Sequence, residues 1–291
     1  MNHPRFSGGL ATRQAINAQM PSLPRRNNGN QPTYLELELR LAALQKEHAD
    51  LQTAITEAAQ VYRRLCAPRL VRRGNFEIAS ETFAVRHVPG DFFAIEETGG
   101  GIVLALGDIS GKGLAAGMWT TYLVGLVGTH ASTNPEPRAI VARVNEDLCR
   151  MRSVAPLTSL FLAKLDPASG RLDYSNAGHP PALLLRANGE LELLSEGGVL
   201  PGVVPAASFV EGSVHLNAGD VLLVCSDGIL ESLNDADQEF GYMRLEAQLR
   251  RAQVGAADAV LFSVLGAVQD FAAARPLVDD MSLVIVRRDS R

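Results

Sequence analysis

Ile102-Val103-Leu104-Ala105-Leu106-Gly107-Asp108-Ile109-Ser110-Gly111-Lys112-Gly113 is the stretch on which the reading of this chain turns. Its first five residues form an unbroken apolar run, the length of a buried strand. Asp108 ends that run beside a glycine and opens a turn, and the segment 114–130 that follows reads as a helix. The turn looks like a phosphate loop. A Walker-type loop, however, needs four residues between its glycines, then lysine, then a hydroxyl residue. Here three residues intervene and Gly113 stands where the hydroxyl would be, so a P-loop ATPase is set aside.

Working outward, further strand-like runs appear: a loosely alternating 76–87, then Leu160-Phe161-Leu162-Ala163, Leu183-Leu184-Leu185, Val221-Leu222-Leu223-Val224 and Leu283-Val284-Ile285-Val286. Pro167-Ala168-Ser169-Gly170, Ala187-Asn188-Gly189 and Asn217-Ala218-Gly219-Asp220 are turn signals between them. Closely spaced strands joined by such turns predict antiparallel sheet, not repeated βαβ units. Helical segments interrupt in pairs, at 114–130 with 137–151 and at 242–251 with 256–274. The expected class is therefore α+β, with two packed antiparallel sheets flanked by helix pairs.

The chain has 291 residues, 46% apolar and 20% charged, an ordinary globular composition. No run reaches the ~18 to 20 apolar residues of a membrane span, and no signal peptide opens the sequence. Three widely separated cysteines, Cys66, Cys149 and Cys225, predict neither a disulfide framework nor zinc, and point to a reducing cytoplasm. The net charge of −5 argues against nucleic acid as a partner. Residues 1–33 lack Asp and Glu and carry four arginines. They read as a disordered basic arm, a composition that organelle transit peptides share. Residues 34–66 carry a seam spaced alternately four and three, Leu37, Leu41, Leu44, His48, Leu51, Ile55, Ala58, Tyr62 and Leu65, with no Pro or Gly inside. That is a heptad stripe on a long helix. A coiled-coil homodimer and a helix docked on its own domain predict the same stripe. The domain proper is expected over 67–291.

The chemistry lies in aspartates at strand ends. Asp91 follows Pro89-Gly90, Asp108 ends the strand quoted above, Asp227 follows Val221–Cys225 and precedes Gly228, and Asp279-Asp280 open the last strand. An Asp beside a Gly in a turn is a good oxygen ligand, because a backbone carbonyl can approach the same ion. Converging carboxylates repel one another, and a divalent cation relieves that repulsion. A set without His or Cys favours Mg²⁺ or Mn²⁺ over zinc.

Five motifs occur in a telling order: Pro89-Gly90-Asp91-Phe92-Phe93, Gly107 to Gly113, Asn176-Ala177-Gly178-His179-Pro180, Ser226-Asp227-Gly228-Ile229 and Asp279-Asp280-Met281-Ser282. In this the chain resembles the PP2C-type (PPM) metal-dependent serine/threonine phosphatases, in their bacterial SpoIIE/RsbU-like branch, over about residues 58–288. The resemblance implies an α-β-β-α sandwich and a centre of two divalent cations, Mn²⁺ or Mg²⁺. Asp108 would bridge both ions and the Ile109 carbonyl would bind one of them. Asp227 and Asp279 would bind the other, and Asp91 would support the site directly or through water. Asp108 and Asp227 would then be the catalytic pair, acting on the attacking water through the metals. The family motif places the ligand at Asp279 rather than Asp280, with Ser282 in a threonine position. The family usually has Gly where Pro89 stands and often Asp where Ala94 stands, so the chain departs from the family pattern around Asp91.

The implied activity is hydrolysis of phosphoserine or phosphothreonine on a protein, without a phosphoenzyme. The implied substrate is a phosphorylated anti-sigma-factor antagonist of the STAS type, in a bacterial partner-switching pathway in the cytoplasm. Regulation would enter through the helix at 34–66, by dimerisation or a separate regulatory protein. A phosphatase-like adaptor without catalysis is the alternative. His179 is a candidate general acid or a turn-bound histidine. Lys112 meets a phosphate or an acidic substrate surface, or is a solvated loop residue. Cys225 reads as buried packing.

Overall fold

The structure, a computed structural model, describes residues 32–66, 69–151 and 155–289. The expected basic arm falls almost wholly outside the described residues. The chain divides into two compact units, up to Asp50 and from Leu51 onward. Helix α1 (Tyr34–Leu65) opens on a reciprocal cap: the Glu36 carboxylate accepts the Thr33 N–H at 2.9 Å, and the Thr33 hydroxyl accepts the Glu36 N–H at 3.3 Å. Of the expected seam, Leu37, Leu41, Leu44, His48 and Leu51 are exposed in the single chain, whereas Tyr62 is buried.

The second unit continues with β1 (Arg69–Arg73), β2 (Phe76–Phe83), β3 (Phe92–Thr98), β4 (Gly101–Ile109), α2 (Leu114–Thr133), α3 (Pro137–Arg150), β5 (Thr158–Leu165) and β6 (Arg171–Ala177). It closes with β7 (Ala182–Leu185), β8 (Leu191–Leu194), β9 (Gly197–Gly198), β10 (Gly212–His215), β11 (Val221–Cys225), α4 (Asp227–Leu230), α5 (Gly241–Ala252), α6 (Ala257–Ala272) and β12 (Met281–Arg288). One sheet runs β1-β2-β12-β11-β7-β8 and the other β10-β6-β5-β4-β3. Pairing is antiparallel throughout, except that β9 adds parallel to β6.

Three apolar clusters explain why the strands read as continuous runs instead of alternating ones. Phe93, Ile95, Leu104, Leu106, Phe161, Leu222, Val224, Val284 and Val286 fill the space between the sheets. The alternate residues of the same strands, Phe92, Ala94, Val103 and Ala105, pack outward with Leu123, Val127, Ile140, Val144 and the end of α1. On the other flank, Leu223, Cys225, Leu283 and Ile285 meet α5 and α6. Both faces of each central strand are covered, so both parities must be apolar. The expected α-β-β-α sandwich is what forms.

One expectation needs correction, and one strand was not predicted. The run 76–87 stays in the ladder only to Phe83. Beyond it, the N–H groups of Val85 and Gly90 donate to the Asp280 carboxylate at 2.7 Å each, so the chain leaves the sheet to be held by a side chain. The stretch Phe92–Thr98, noted for its motif alone, is a full strand paired with β4. No helix among the described residues is long and apolar enough to cross a membrane.

Candidate metal centre

All five expected acidic residues gather where two pairs of strand ends meet. Asp108 is the penultimate residue of β4, and Asp91 immediately precedes β3, its neighbour, where Phe92 stands opposite Gly107. Asp227 begins α4 just past β11, and Asp279 and Asp280 precede β12, which pairs with β11. One sheet thus contributes Asp91 and Asp108, and the other Asp227, Asp279 and Asp280. Two glycines permit the crowding. A Cβ on Gly228 would stand 2.0 Å from the Asp280 carbonyl oxygen. One on Gly90 would stand 2.8 Å from the Ile109 carbonyl oxygen, which therefore faces the loop leading into Asp91.

The carboxylates feel one another. Burial, followed by the charge of Asp227, pushes the Asp108 pKa up to about 6. Asp91 is buried, and desolvation and then Asp108 raise its pKa well above the ordinary range. Asp227 is raised by burial and next by Asp279. Desolvation and like charge act in the same direction, and one divalent cation offsets both.

Asp279 and Asp280 differ in kind. Asp280 is buried and spends both carboxylate oxygens on the N–H groups of Val85 and Gly90. Asp279 is half exposed; it accepts the Asp280 N–H at 2.9 Å and pairs with the Lys112 ammonium at 2.9 Å. Lys112 also donates to the Val278 carbonyl, so its ammonium is tied to the segment that leads into β12.

His179 sits as a buried histidine behind the site. Ser159 Oγ lies 2.8 Å from its Nδ1, and desolvation lowers its pKa to about 3, so it is neutral. Ser159 stands opposite Asp108 across β4 and β5, and the Cys225 backbone faces the ring from the other sheet. The histidine braces the site from behind. Burial, then Asp227, pushes the Cys225 thiol up, which fits a packing residue and not a nucleophile. Ala94, where the family often has Asp, is buried in the apolar cluster under α2.

Two motif serines, and one glutamate that the sequence reading passed over, Glu231, also belong here. Ser226 Oγ accepts the Ser282 N–H at 3.0 Å, and both serine hydroxyls lie beside the Asp91 carboxyl. The pKa of Glu231 is raised by burial, then by Asp227, Glu239 and Asp279. Its place four residues after Asp227, one turn along the chain, was the available signal. A cavity of about 200 Å³ opens beside Asp279, lined in part by Glu231, Ser232, Arg275, Leu277 and Val278.

The donor set fits hard divalent cations: carboxylates with a backbone carbonyl and no sulfur or imidazole. Asp91 Oδ2 is buried without a hydrogen-bond partner among the described residues, an oxygen suited to a cation or its water. Among the described residues, no three His, Cys, Asp or Glu side chains close on a single point. The acids form an electrostatic cluster rather than a finished coordination shell.

Comparison with known proteins agrees with this architecture. A family model described as Stage II sporulation protein E (SpoIIE) matches residues 98–289. Phosphoserine phosphatase RsbU of Bacillus subtilis is 21% identical over 291 residues, covering 95% of this chain and 84% of RsbU. The SiaA-PP2C domain of Pseudomonas aeruginosa superposes with a TM-score of 0.72 at 18% identity, over 85% of this chain and 99% of that domain. The PP2C phosphatase domain of SpoIIE from Bacillus subtilis, solved with a fragment of its regulatory domain, gives 0.62 at 18% identity, over 74% and 62%. With the family model covering most of the folded domain, the chain belongs to the SpoIIE family, and its sheets stack in the fold of PP2C phosphatase domains.

Proposed function

We propose that this phosphatase hydrolyses phosphoserine or phosphothreonine monoesters on a regulatory protein, using Mn²⁺ or Mg²⁺. The observation that carries the reading is the convergence of Asp91, Asp108, Asp227 and Asp279 from two sheets onto one strand-end cluster, with mutual repulsion that divalent cations would relieve. Asp108, Asp227, Asp279 and the Ile109 carbonyl are the groups to hold two cations, with Asp91 behind them. When bound, the cations supply Lewis acidity toward the phosphoryl oxygens and the attacking water. Asp280 keeps the 85–90 loop in place, and the buried, neutral His179 is held by Ser159 on β5, behind Asp108. Neither a thiol nor a hydroxyl nucleophile is required.

The name of the relative RsbU, a phosphoserine phosphatase, supports this substrate class. A STAS-type anti-sigma-factor antagonist in a bacterial partner-switching pathway is the substrate proposed within it. The three cysteines are thiols and not disulfides, which suits a reducing cytoplasm. The exposed seam Leu37, Leu41, Leu44 and Leu51 supports homodimerisation through α1. A signal on that helix has a route inward, because the Tyr62 hydroxyl donates to the Asp91 carbonyl at 2.7 Å.

The test is phosphate release from p-nitrophenyl phosphate with and without millimolar Mn²⁺, comparing the full chain with Asp108→Asn. Metal-dependent turnover that the variant loses supports the proposal. Turnover that survives Asp108→Asn refutes the site. Substrate binding with no turnover under any metal favours the adaptor.

A further inference from the structure

We infer that Lys112 is a tethered cation that competes with a divalent ion for Asp279 and so sets the metal affinity of the centre. The inference rests on the metal-centre reading above and concerns a residue to which that reading gives no task. Lys112 Nζ lies 2.9 Å from Asp279 Oδ2 and also donates to the carbonyl of the preceding residue, Val278. Two anchors on adjacent residues fix the ammonium at the mouth of β12. Its charge reaches further than its contact, since it also lowers the pKa values of Asp227 and Asp280. Of the clustered aspartates, Asp279 is the one ion-paired among the described residues.

The backbone is built to deliver this lysine. Gly111 at φ 112° and Gly113 at φ 82° flank Lys112, both in the region that side chains other than glycine avoid. Gly113 then caps α2. The two glycines turn the loop so that the lysine reaches across from the β4 end to the β12 end, from one sheet to the other. A divalent cation bound at Asp279 would stand within a few ångströms of the ammonium, and the two positive charges repel. Lysine and metal therefore oppose one another at Asp279, where the lysine holds Oδ2. The lysine side chain is 28% exposed and the aspartate 47%, so the competition has the size of a partly solvated ion pair and tunes the site without closing it.

The first experiment is Mn²⁺ calorimetry on the full chain, on Lys112→Met and on Lys112→Arg. Removing the ammonium is expected to tighten one site roughly two- to fivefold, the equivalent of one such ion pair, and the arginine variant to stay near wild type. Loss of a merely structural lysine would leave affinity unchanged or weaken it, and either result overturns the inference. The second experiment needs no substitution. The chain has three lysines, Lys46, Lys112 and Lys164, so ¹³Cε-lysine labelling yields three resolvable signals. Titration with diamagnetic Mg²⁺ is expected to shift the Lys112 signal in step with occupancy and to leave the other two in place. A Lys112 signal that stays fixed while metal binds overturns the inference alone. No binding of either metal to wild type overturns it together with the metal-centre reading.

Discussion

Asp279 and Asp280 are neighbours of one residue type, and their substitution by asparagine should give opposite phenotypes. The Asp280 carboxylate accepts two backbone N–H groups at 2.7 Å in a buried setting. Hydrogen bonds to a charged group contribute about 1.5–3 kcal/mol each. Asparagine retains one oxygen, so one bond survives in neutral form. The other N–H then faces an amide NH₂, a donor against a donor, at a cost of about 1–3 kcal/mol. Removing a charge that burial and Asp279 already disfavour returns part of this. The net loss is about 2 kcal/mol, or roughly 4–8 °C in melting temperature for a domain of this size. Asp279→Asn still accepts the Asp280 N–H and loses only the Lys112 pair, worth about 0.2–1 kcal/mol at such exposure. Its melting temperature should stay within about 4 °C of wild type, while its Mn²⁺-dependent turnover falls by at least about a hundredfold, as for loss of a metal ligand. Asp280→Asn should retain turnover below its melting temperature, with any deficit recovered by more Mn²⁺. Differential scanning calorimetry and p-nitrophenyl phosphate hydrolysis on both variants decide the matter. An unaltered melt for Asp280→Asn, or full activity for Asp279→Asn, would refute the division of labour.

Three further outcomes are expected. In chelator at pH 7, Asp108→Asn should melt at or above the wild-type temperature, because burial and Asp227 oppose the Asp108 charge; a fall of several degrees would show that the cluster is not self-repelling. His179 has a folded-state pKa of about 3 against an ordinary 6.5, so the unfolded chain takes up its proton first. Its share of stability is intact above pH 6.5 and is lost as pH falls from there toward 3, at about 1.4 kcal/mol per pH unit. The raised aspartates work in the other direction, so the comparison is with His179→Asn in urea unfolding at pH 7, 6 and 5. The variant should show the shallower loss, and parallel curves would count against a buried neutral histidine. Finally, removing residues 1–50 takes away Leu37, Leu41 and Leu44 while keeping Tyr62 in the domain, and should convert a dimer to a monomer by light scattering; equal oligomeric states would refute the helix seam as the contact.

The sequence by itself determined the central strands, the helix pairs and the chemical type of the site. Apolar runs, three glycine-bearing turns and two helix pairs were legible because their signals are local: Gly170, Gly189 and Gly219 each adopt positive φ at a strand connection. The order of Asp91, Asp108, Asp227 and Asp279 within their motifs named the acids. What the sequence could not show is what each side chain faces, since the partners lie far along the chain. Asp280 holds Val85 across 195 residues, Thr82 meets Ser282 across 200, and Tyr62 reaches the Asp91 carbonyl across 29. The early end of β2 has the same origin, for a side chain from far along the sequence takes the Val85 N–H just past it. A motif displays two adjacent aspartates as equivalents. Only the tertiary structure makes one a buried staple and the other an exposed partner of Lys112, because burial and hydrogen bonding belong to the place where two sheets meet and not to either residue alone.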